Sequence, residues 1–417
     1  MIRMTMMSRL WGITGAGCLF LMGGATNLHA DWPQWRGPHR NGQIDTPETL
    51  TKKAHLEEIW NAELGTGFSS VAIAGERVLA SGNADEQDTI WCLNLKDGKP
   101  FWKHSYSAPL DPNLFEGGPT ATPTIDQDSV YTISRAGKIF CFDLKSGDVR
   151  WHVQVPEEQR KNIPSWGYSS SPLVLADHVY FNAGAHGLCL DAATGNTVWA
   201  SDNEEVAGYT SPVLMQTSEE TVILLESEKS IWAIRPDDGT VVWRHPWITR
   251  YGINAADPLV LNDHQVVVTS GYSKGAILLD MESGSPKELW RTRNLRTQMS
   301  PGVLVNGYIY ANDGDADRDC KLVCIEAETG ALKWLERGYG SASVIRVGPQ
   351  LLVLSEAGEL MVMNPSPEKL DIVAKFPILT GKCWTPPAWT DSQLLARNAA
   401  GHLVCVRLMN ESATGKD

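Results

Sequence analysis

From about residue 55 onward, apolar and polar positions alternate with a period of two in short runs, each broken by a small turn. This is the signature of antiparallel strands, and no stretch keeps the three-to-four spacing of a substantial helix. Residues 137–151 show the unit most clearly: a strand, a Lys-Ser-Gly turn and a second strand ending in Trp151. The same pattern recurs as Asn94…Gly98…Trp102, Asp143…Gly147…Trp151, Asp191…Gly195…Trp199 and Arg235…Gly239…Trp243. It returns as Asp280…Gly284…Trp290, with two extra residues, and as Glu326…Gly330…Trp334. A weaker copy runs Asn364…Phe376, without the glycine. The Asp or Asn can bond forward to its own backbone and the glycine supplies positive φ, so each copy reads as a hairpin. The tryptophan is expected to fold back over the glycine of its own hairpin, burying a side chain worth about 1.5–3 kcal/mol or more.

A second repeat precedes each hairpin. A Ser/Thr-Pro step, or a variant of it, opens a pair of β-rich runs: Thr122-Pro123, Ser171-Pro172, Ser211-Pro212, Asp257-Pro258, Ser300-Pro301 and Pro386-Pro387. Proline suits the start of an innermost strand. Four strands per unit and eight units follow, beginning near residues 69, 120, 169, 210, 255, 299, 341 and 385. Residues 56–60 look like an outer strand with Trp60 but no hairpin before it, and residues 401–408 like an inner hairpin half with no outer strand. Paired, they close a ring. The chain is therefore expected to be all-β: an eight-bladed propeller over residues 56–408, closed by an N-terminal strand that completes the last blade. Residues 31–55 are expected to form an extension packed on its outside, and 409–417 a tail.

The first thirty residues are different. Arg3 and Arg9 flank a short start, an apolar glycine-rich stretch follows, and Leu28-His29-Ala30 ends in a small residue, as in a secretory signal peptide cleaved near Ala30. Export to the periplasm or beyond is expected, and the residues around Cys18 lack the aliphatic spacing of a lipoprotein anchor. No other segment is long enough to span a bilayer. The formal charge of −13 becomes two units more negative once the leader arginines are gone, which excludes nucleic acid as a natural partner. Cys92, Cys141, Cys189, Cys324 and Cys405 all fall at one hairpin position in different units, so they read as small buried residues rather than a disulfide framework. Cys320 and Cys383 lie outside that pattern.

The repeat resembles the tryptophan-docking motif of the quinoprotein-type propellers, Ala-x-Asp-x-x-Thr-Gly-x-x-x-Trp, which Asp191-Ala-Ala-Thr-Gly195…Trp199 matches nearly residue for residue. The resemblance implies the propeller fold, with Trp60, Trp102, Trp151, Trp199, Trp243, Trp290 and Trp334 and the glycines 98, 147, 195, 239 and 330 as its docking residues. It also frames two functional readings. Dehydrogenases of that family hold pyrroloquinoline quinone and calcium, with a tryptophan under the ring and an aspartate base. By resemblance Trp166 or Trp384 would be the floor, Asp257 the base, and Glu116 and Asn254 calcium ligands. The adjacent cysteine pair of those enzymes, their haem site and their long insertions are absent from this sequence. The other precedent is non-enzymatic: the propeller of the outer-membrane β-barrel assembly machinery, a protein scaffold.

Propeller topology sorts the loops. All the Asp-to-Gly turns fall on one face, while the links between units and the central turns fall on the other, called the top. The top gathers Glu116, Trp166, Tyr168, Tyr209, Arg250, Asn254, Asp257, Gln298 and Trp384, a set suited to binding a protein, peptide or saccharide partner, or to lining a hydrated channel. Asp313, Asp315, Asp317 and Asp319 alternate in one turn, a pattern that can wrap calcium or stay solvated. No elbow or phosphate loop supports a hydrolase or kinase. The leading expectation is an exported binding scaffold, monomeric or part of an envelope complex, with no cofactor; a quinone-dependent oxidoreductase is the alternative.

Overall fold

The computed structural model describes residues 31–411 apart from Leu114, Asn203, Ser283 and residues 316–317. The leader and its cleavage point therefore lie outside the described residues, as do Asp317 and most of the tail. Eight four-stranded antiparallel sheets form the blades, the first seven running inner to outer in chain order. Blades 1 to 7 cover residues 72–107, 124–154, 173–200, 213–246, 259–292, 303–337 and 343–377. Blade 8 joins Ala388–Thr390, Gln393–Arg397 and His402–Asn410 to the N-terminal strand Ala54–Glu63, which closes the ring. The single helix among the described residues is Glu157–Arg160, and none is long and apolar enough to cross a membrane.

The hairpins form for local reasons. Asp143 Oδ1 accepts the N–H groups of Lys145 and Ser146 at 3.0 and 2.8 Å, and Gly147 turns at φ +78°. In all eight blades the outer pair of strands carries a register shift just beside the small hairpin residue. Such a bulge adds local twist and re-aims the side chain that follows. It corrects one expectation: the tryptophan does not fold onto its own glycine but onto that of the next blade. A Cβ on Gly195 of blade 3 would stand 2.7 Å from the indole of Trp151 in blade 2, whose Nε1 donates to Ala192 O at 2.9 Å. Trp60 covers Gly98, Trp102 covers Gly147, Trp199 covers Gly239 and Trp290 covers Gly330 in the same way. Trp334 donates to Ser366 O of the glycine-less turn. Gly284, in the lengthened turn, meets no such ring within 4 Å of a Cβ, and Trp243 lies buried without it. Because Trp60 belongs to blade 8 and Gly98 to blade 1, the closing strand locks the ring twice, by its ladder and by its indole.

The N-terminal extension is the second correction. It does not lie on the outside of the ring; it threads the axis. Trp32 pairs with Ile73 of blade 1 through two backbone bonds, and Ile125 N of blade 2 donates to Pro33 O. Arg40 donates to Ser171 O and Pro172 O beside blade 3 at 3.0 and 2.8 Å, and Arg36 to Gly302 O beside blade 6 at 2.7 Å. Gln43–Ile44 then descends as a parallel fifth strand against Ser343–Val347 of blade 7. The segment enters and leaves at the lower face, where Gly75 N donates to Asp31 and Gly348 N to Ile44 O. Its upper turn is strained: Arg36 and Arg40 sit at φ 61° and 54°, conformations costing on the order of 1–3 kcal/mol each for a side-chain-bearing residue. Gly37 packs flat on Trp32, with 3.0 Å between a Cβ and the indole. The segment from Asp31 to Ile44 is thus a plug, held by six of the eight blades once the bond from Trp35 to Asp257 beside blade 5 is counted.

Cys92, Cys141, Cys189, Cys324, Cys383 and Cys405 are buried free thiols. Burial pushes the thiols of Cys92, Cys189, Cys383 and Cys405 up to about 12, which makes them inert packing residues.

Candidate functional site

Where the inner strands begin, Ser70 and the pre-proline residues of the next four blades form a chain of hydrogen bonds around the axis. Ser70 N donates to Thr122 Oγ1, Thr122 N to Ser171 Oγ, Ser171 N to Ser211 Oγ and Ser211 N to Asp257 Oδ1, at 2.7 to 3.0 Å. Asp257 therefore occupies a position that a hydroxyl fills in the preceding blades. Its second oxygen is what the hydroxyl lacks: Oδ2 accepts Trp35 Nε1 of the plug at 2.6 Å. Burial raises its pKa, opposed by the charge of Arg36, the Trp35 and Ser211 bonds, and Arg40. Burial in turn lowers both arginines to about 10, so they stay charged at neutral pH, with Asp257 pulling the other way. With both oxygens engaged and two guanidiniums spent on carbonyls, Asp257 is an anchor for the plug, not a poised base.

Above the plug opens a cavity of about 1020 Å³ lined by link and turn residues of the top face. Trp35 forms its floor. Of the residues expected on this face, the structure brings together Trp166, Tyr209, Arg250, Asp257, Gln298 and Trp384. Tyr168 is buried beneath, its hydroxyl donating to Gln159 O, and Asn254 is fully buried, its amide donating to Ser227 O and Trp247 O. Glu116 is not in the lining; it pairs with Lys382 at 2.7 Å, whose ammonium lies 4.1 Å over the ring of Trp384. Trp35, Phe68, Phe115, Tyr251 and Tyr272 also line the cavity, and no repeat or motif marks them beforehand. The aromatic pairs stand as three walls: Phe68 beside Trp384 at 5.7 Å, Trp166 beside Tyr209 at 5.8 Å, and Tyr251 edge-on to Tyr272 at 5.1 Å.

The acidic turn does not gather its described carboxylates. Asp313 is buried and accepts Arg296 Nη2 at 2.6 Å; Asp319 pairs with Lys321 at 2.5 Å and with Arg337; Asp315 accepts the Tyr272 N–H at the cavity wall. A bulge between Asp313 and Asp315 turns these neighbours apart. Among the described residues, no three His, Cys, Asp or Glu side chains converge as metal ligands.

A calcium–quinone centre needs converging oxygens for the cation and cationic groups for the quinone's carboxylates. Here Asp257 is consumed by the plug, Glu116 by Lys382 and Asn254 by backbone carbonyls, and Arg250 is the one cation among the described lining residues. Trp166 and Trp384 stand in the walls, not under a ring. The residues present do not fit that centre.

Comparison with known proteins adds ancestry. The family model described as outer membrane protein assembly factor BamB matches residues 86–336. The BamB of Moranella endobia is 23% identical over 316 residues, covering 69% of this chain and 74% of that protein. Among solved structures, BamB from Moraxella catarrhalis superposes with a TM-score of 0.63 at 18% identity over 85% of this chain and all of that one. A europium-containing methanol dehydrogenase gives 0.68 at 12% identity, covering 90% of this chain and 98% of that one. At these identities both structures speak for the fold alone.

Proposed function

Because the chain belongs to the family of the outer membrane protein assembly factor BamB, we propose that it is an exported scaffold that docks another protein of the cell envelope on its top face. The observation that carries this reading is the link between blades 4 and 5. There Ile248 and Tyr251 project with 60% and 59% of their surface exposed, and the Arg250 guanidinium stacks over the Tyr251 ring at 5.2 Å. An aliphatic, an arginine and a tyrosine displayed together have the composition of an interface hot spot. The neighbouring strands hold them rigidly, since Trp247 below is fully buried and Lys274 lies 4.3 Å over its ring. Docking needs no chemistry, in keeping with a cavity whose two lining acids are already engaged.

The test is cross-linking of tagged mature protein in its native envelope, beside an Ile248→Ser/Tyr251→Ser variant. An outer-membrane assembly protein cross-linked by the parent and lost in the variant, with melting unchanged, is the expected result. Equal cross-linking by both would remove this surface from the reading. The scaffold works without quinone in this proposal. Titration with pyrroloquinoline quinone, with and without calcium, is expected to give no saturable absorbance change, and calcium-dependent saturation would favour an oxidoreductase.

A further inference from the structure

We propose that the cavity above the plug is a binding site for a neutral saccharide. This goes beyond the docking reading: the two sites share Arg250 and Tyr251 at the mouth, but the saccharide site rests on the walls and floor below them.

Three features of the lining select the ligand's chemistry. The first is the alternation of aromatic walls and short hydroxyls. A sugar ring has flat C–H faces, which lie well on aromatic surface, and an edge of hydroxyl groups, which needs hydrogen-bonding partners. Trp166 and Trp384 have their indole N–H groups tied down, to Asn113 O at 2.7 Å and to Glu356 Oε1 at 3.0 Å, so their orientations are fixed before any ligand arrives.

The second is the spare hydrogen-bonding capacity around the floor. Ser171 and Ser211 each accept a backbone N–H from the axial chain, which leaves the hydroxyl proton to donate upward. Thr120 Oγ1 is buried at the cavity wall and meets no partner among the described residues. A buried hydroxyl without a partner costs about 1–3 kcal/mol, a penalty that a polar ligand removes.

The third is charge. Arg250 is the one cation of the described lining, and the two lining acids are already engaged, Asp257 by Trp35 and Ser211 and Asp315 by the Tyr272 N–H. An anionic ligand sinking to the floor would give up water without gaining a counter-charge. An extended peptide would bring aliphatic side chains to a wall that offers few aliphatic neighbours, chiefly Ile253 and Met299. A neutral sugar meets neither penalty. The plug matters to this site because Trp35 and its Asp257 bond turn an open channel into a blind funnel with a floor.

The experiment is calorimetric titration of the full mature chain, with tryptophan emission followed in parallel. The probes are cello-, malto-, manno- and chito-oligosaccharides, with polygalacturonate and a peptide of alternating aromatic and polar residues as counter-probes. At least one neutral oligosaccharide is expected to bind saturably and shift the emission. Trp166→Ala and Trp384→Ala should each weaken it by about ten-fold or more while retaining cooperative melting. Should either variant fail to fold, Trp166→Phe and Trp384→Phe keep a ring in place and should weaken binding less, but measurably. The proposal is overturned by absence of binding of every neutral probe at about 10 mM, by binding that no wall substitution alters, or by tighter binding of the anionic or peptide probe.

Discussion

The belt and the axis of this ring are held by opposite means. At the belt, one device is repeated: in five of the eight blades an indole lies on the next blade's turn glycine, apolar, local in sequence and tolerant of variation, since Trp334 manages without the glycine. At the axis nothing repeats. A single strained segment, bearing two buried arginines and anchored on one buried aspartate, reaches six blades through bonds that each differ. The belt is built by summing equal parts, as expected of a repeat protein. The axis is built from charges in a low-dielectric place, where one partner's loss leaves the other exposed to the full burial penalty.

The two systems share chain at the N-terminal segment. Deleting residues 31–61 removes the plug and the outer strand of blade 8 together, including Trp60 and its seat on Gly98. Loss of the cooperative melt by circular dichroism is expected; an unchanged transition would mean that the ring does not need closure. Within the belt alone, Trp151→Ala removes one indole with 8% of its surface exposed and should cost about 3–5 kcal/mol in denaturant unfolding. A loss below about 1 kcal/mol would mean that the indole–glycine contact does not hold neighbouring blades together.

How much of each region could be read beforehand follows from the same contrast. The belt was legible because its determinants lie within a dozen residues of each other and recur: Asp191, Gly195 and Trp199 identify a blade unaided. What stayed hidden even there was the partner of each tryptophan, since the bulge that redirects it leaves no residue signature. The plug was illegible because its contacts span the chain: Arg40 to Ser171 is 131 residues, Trp35 to Asp257 is 222 and Arg36 to Gly302 is 266. Two clues existed. Asp257 breaks a run of hydroxyls before proline, and two arginines sit in a short opening segment otherwise rich in tryptophan, proline and glycine. Together they spell an anchor and its countercharges, although Asp257 alone reads as a base. Six of the nine expected top-face residues reach the cavity, because topology alone puts links on that face. It does not say which link side chains turn down into the blades, as Tyr168 and Asn254 do.

The axis is tested by Asp257→Asn. Asparagine keeps an oxygen for Ser211 N but removes the charge facing Arg36 and Arg40, so a loss of about 2–3 kcal/mol is expected in denaturant unfolding. A neutral outcome would assign the hold on the plug to the backbone bonds of Trp32, Pro33 and Ile44.

The smallest expected effect has the opposite sign, a gain in stability. Glu226 ends the second strand of blade 4, is fully buried, and neither of its carboxylate oxygens meets a partner among the described residues. Burial, with the charge of Asp257 second, holds its pKa well above the ordinary 4.5. The unfolded chain releases this proton near that ordinary value, while the folded chain keeps it to higher pH. Between the two, the folded state binds more protons, so its stability falls as pH rises. The contribution of the neutral acid is fully present below about pH 4.5 and is lost as pH climbs through the raised folded value. Glutamine has no proton to lose, so Glu226→Gln should melt with the parent at pH 4 and increasingly above it toward pH 8. A melting difference that is constant across that range would mean that Glu226 does not change its protonation on folding. The interior thus carries acids of two kinds: Asp257, which takes two hydrogen bonds beside two guanidiniums, and Glu226, which burial without a partner pushes toward its neutral form.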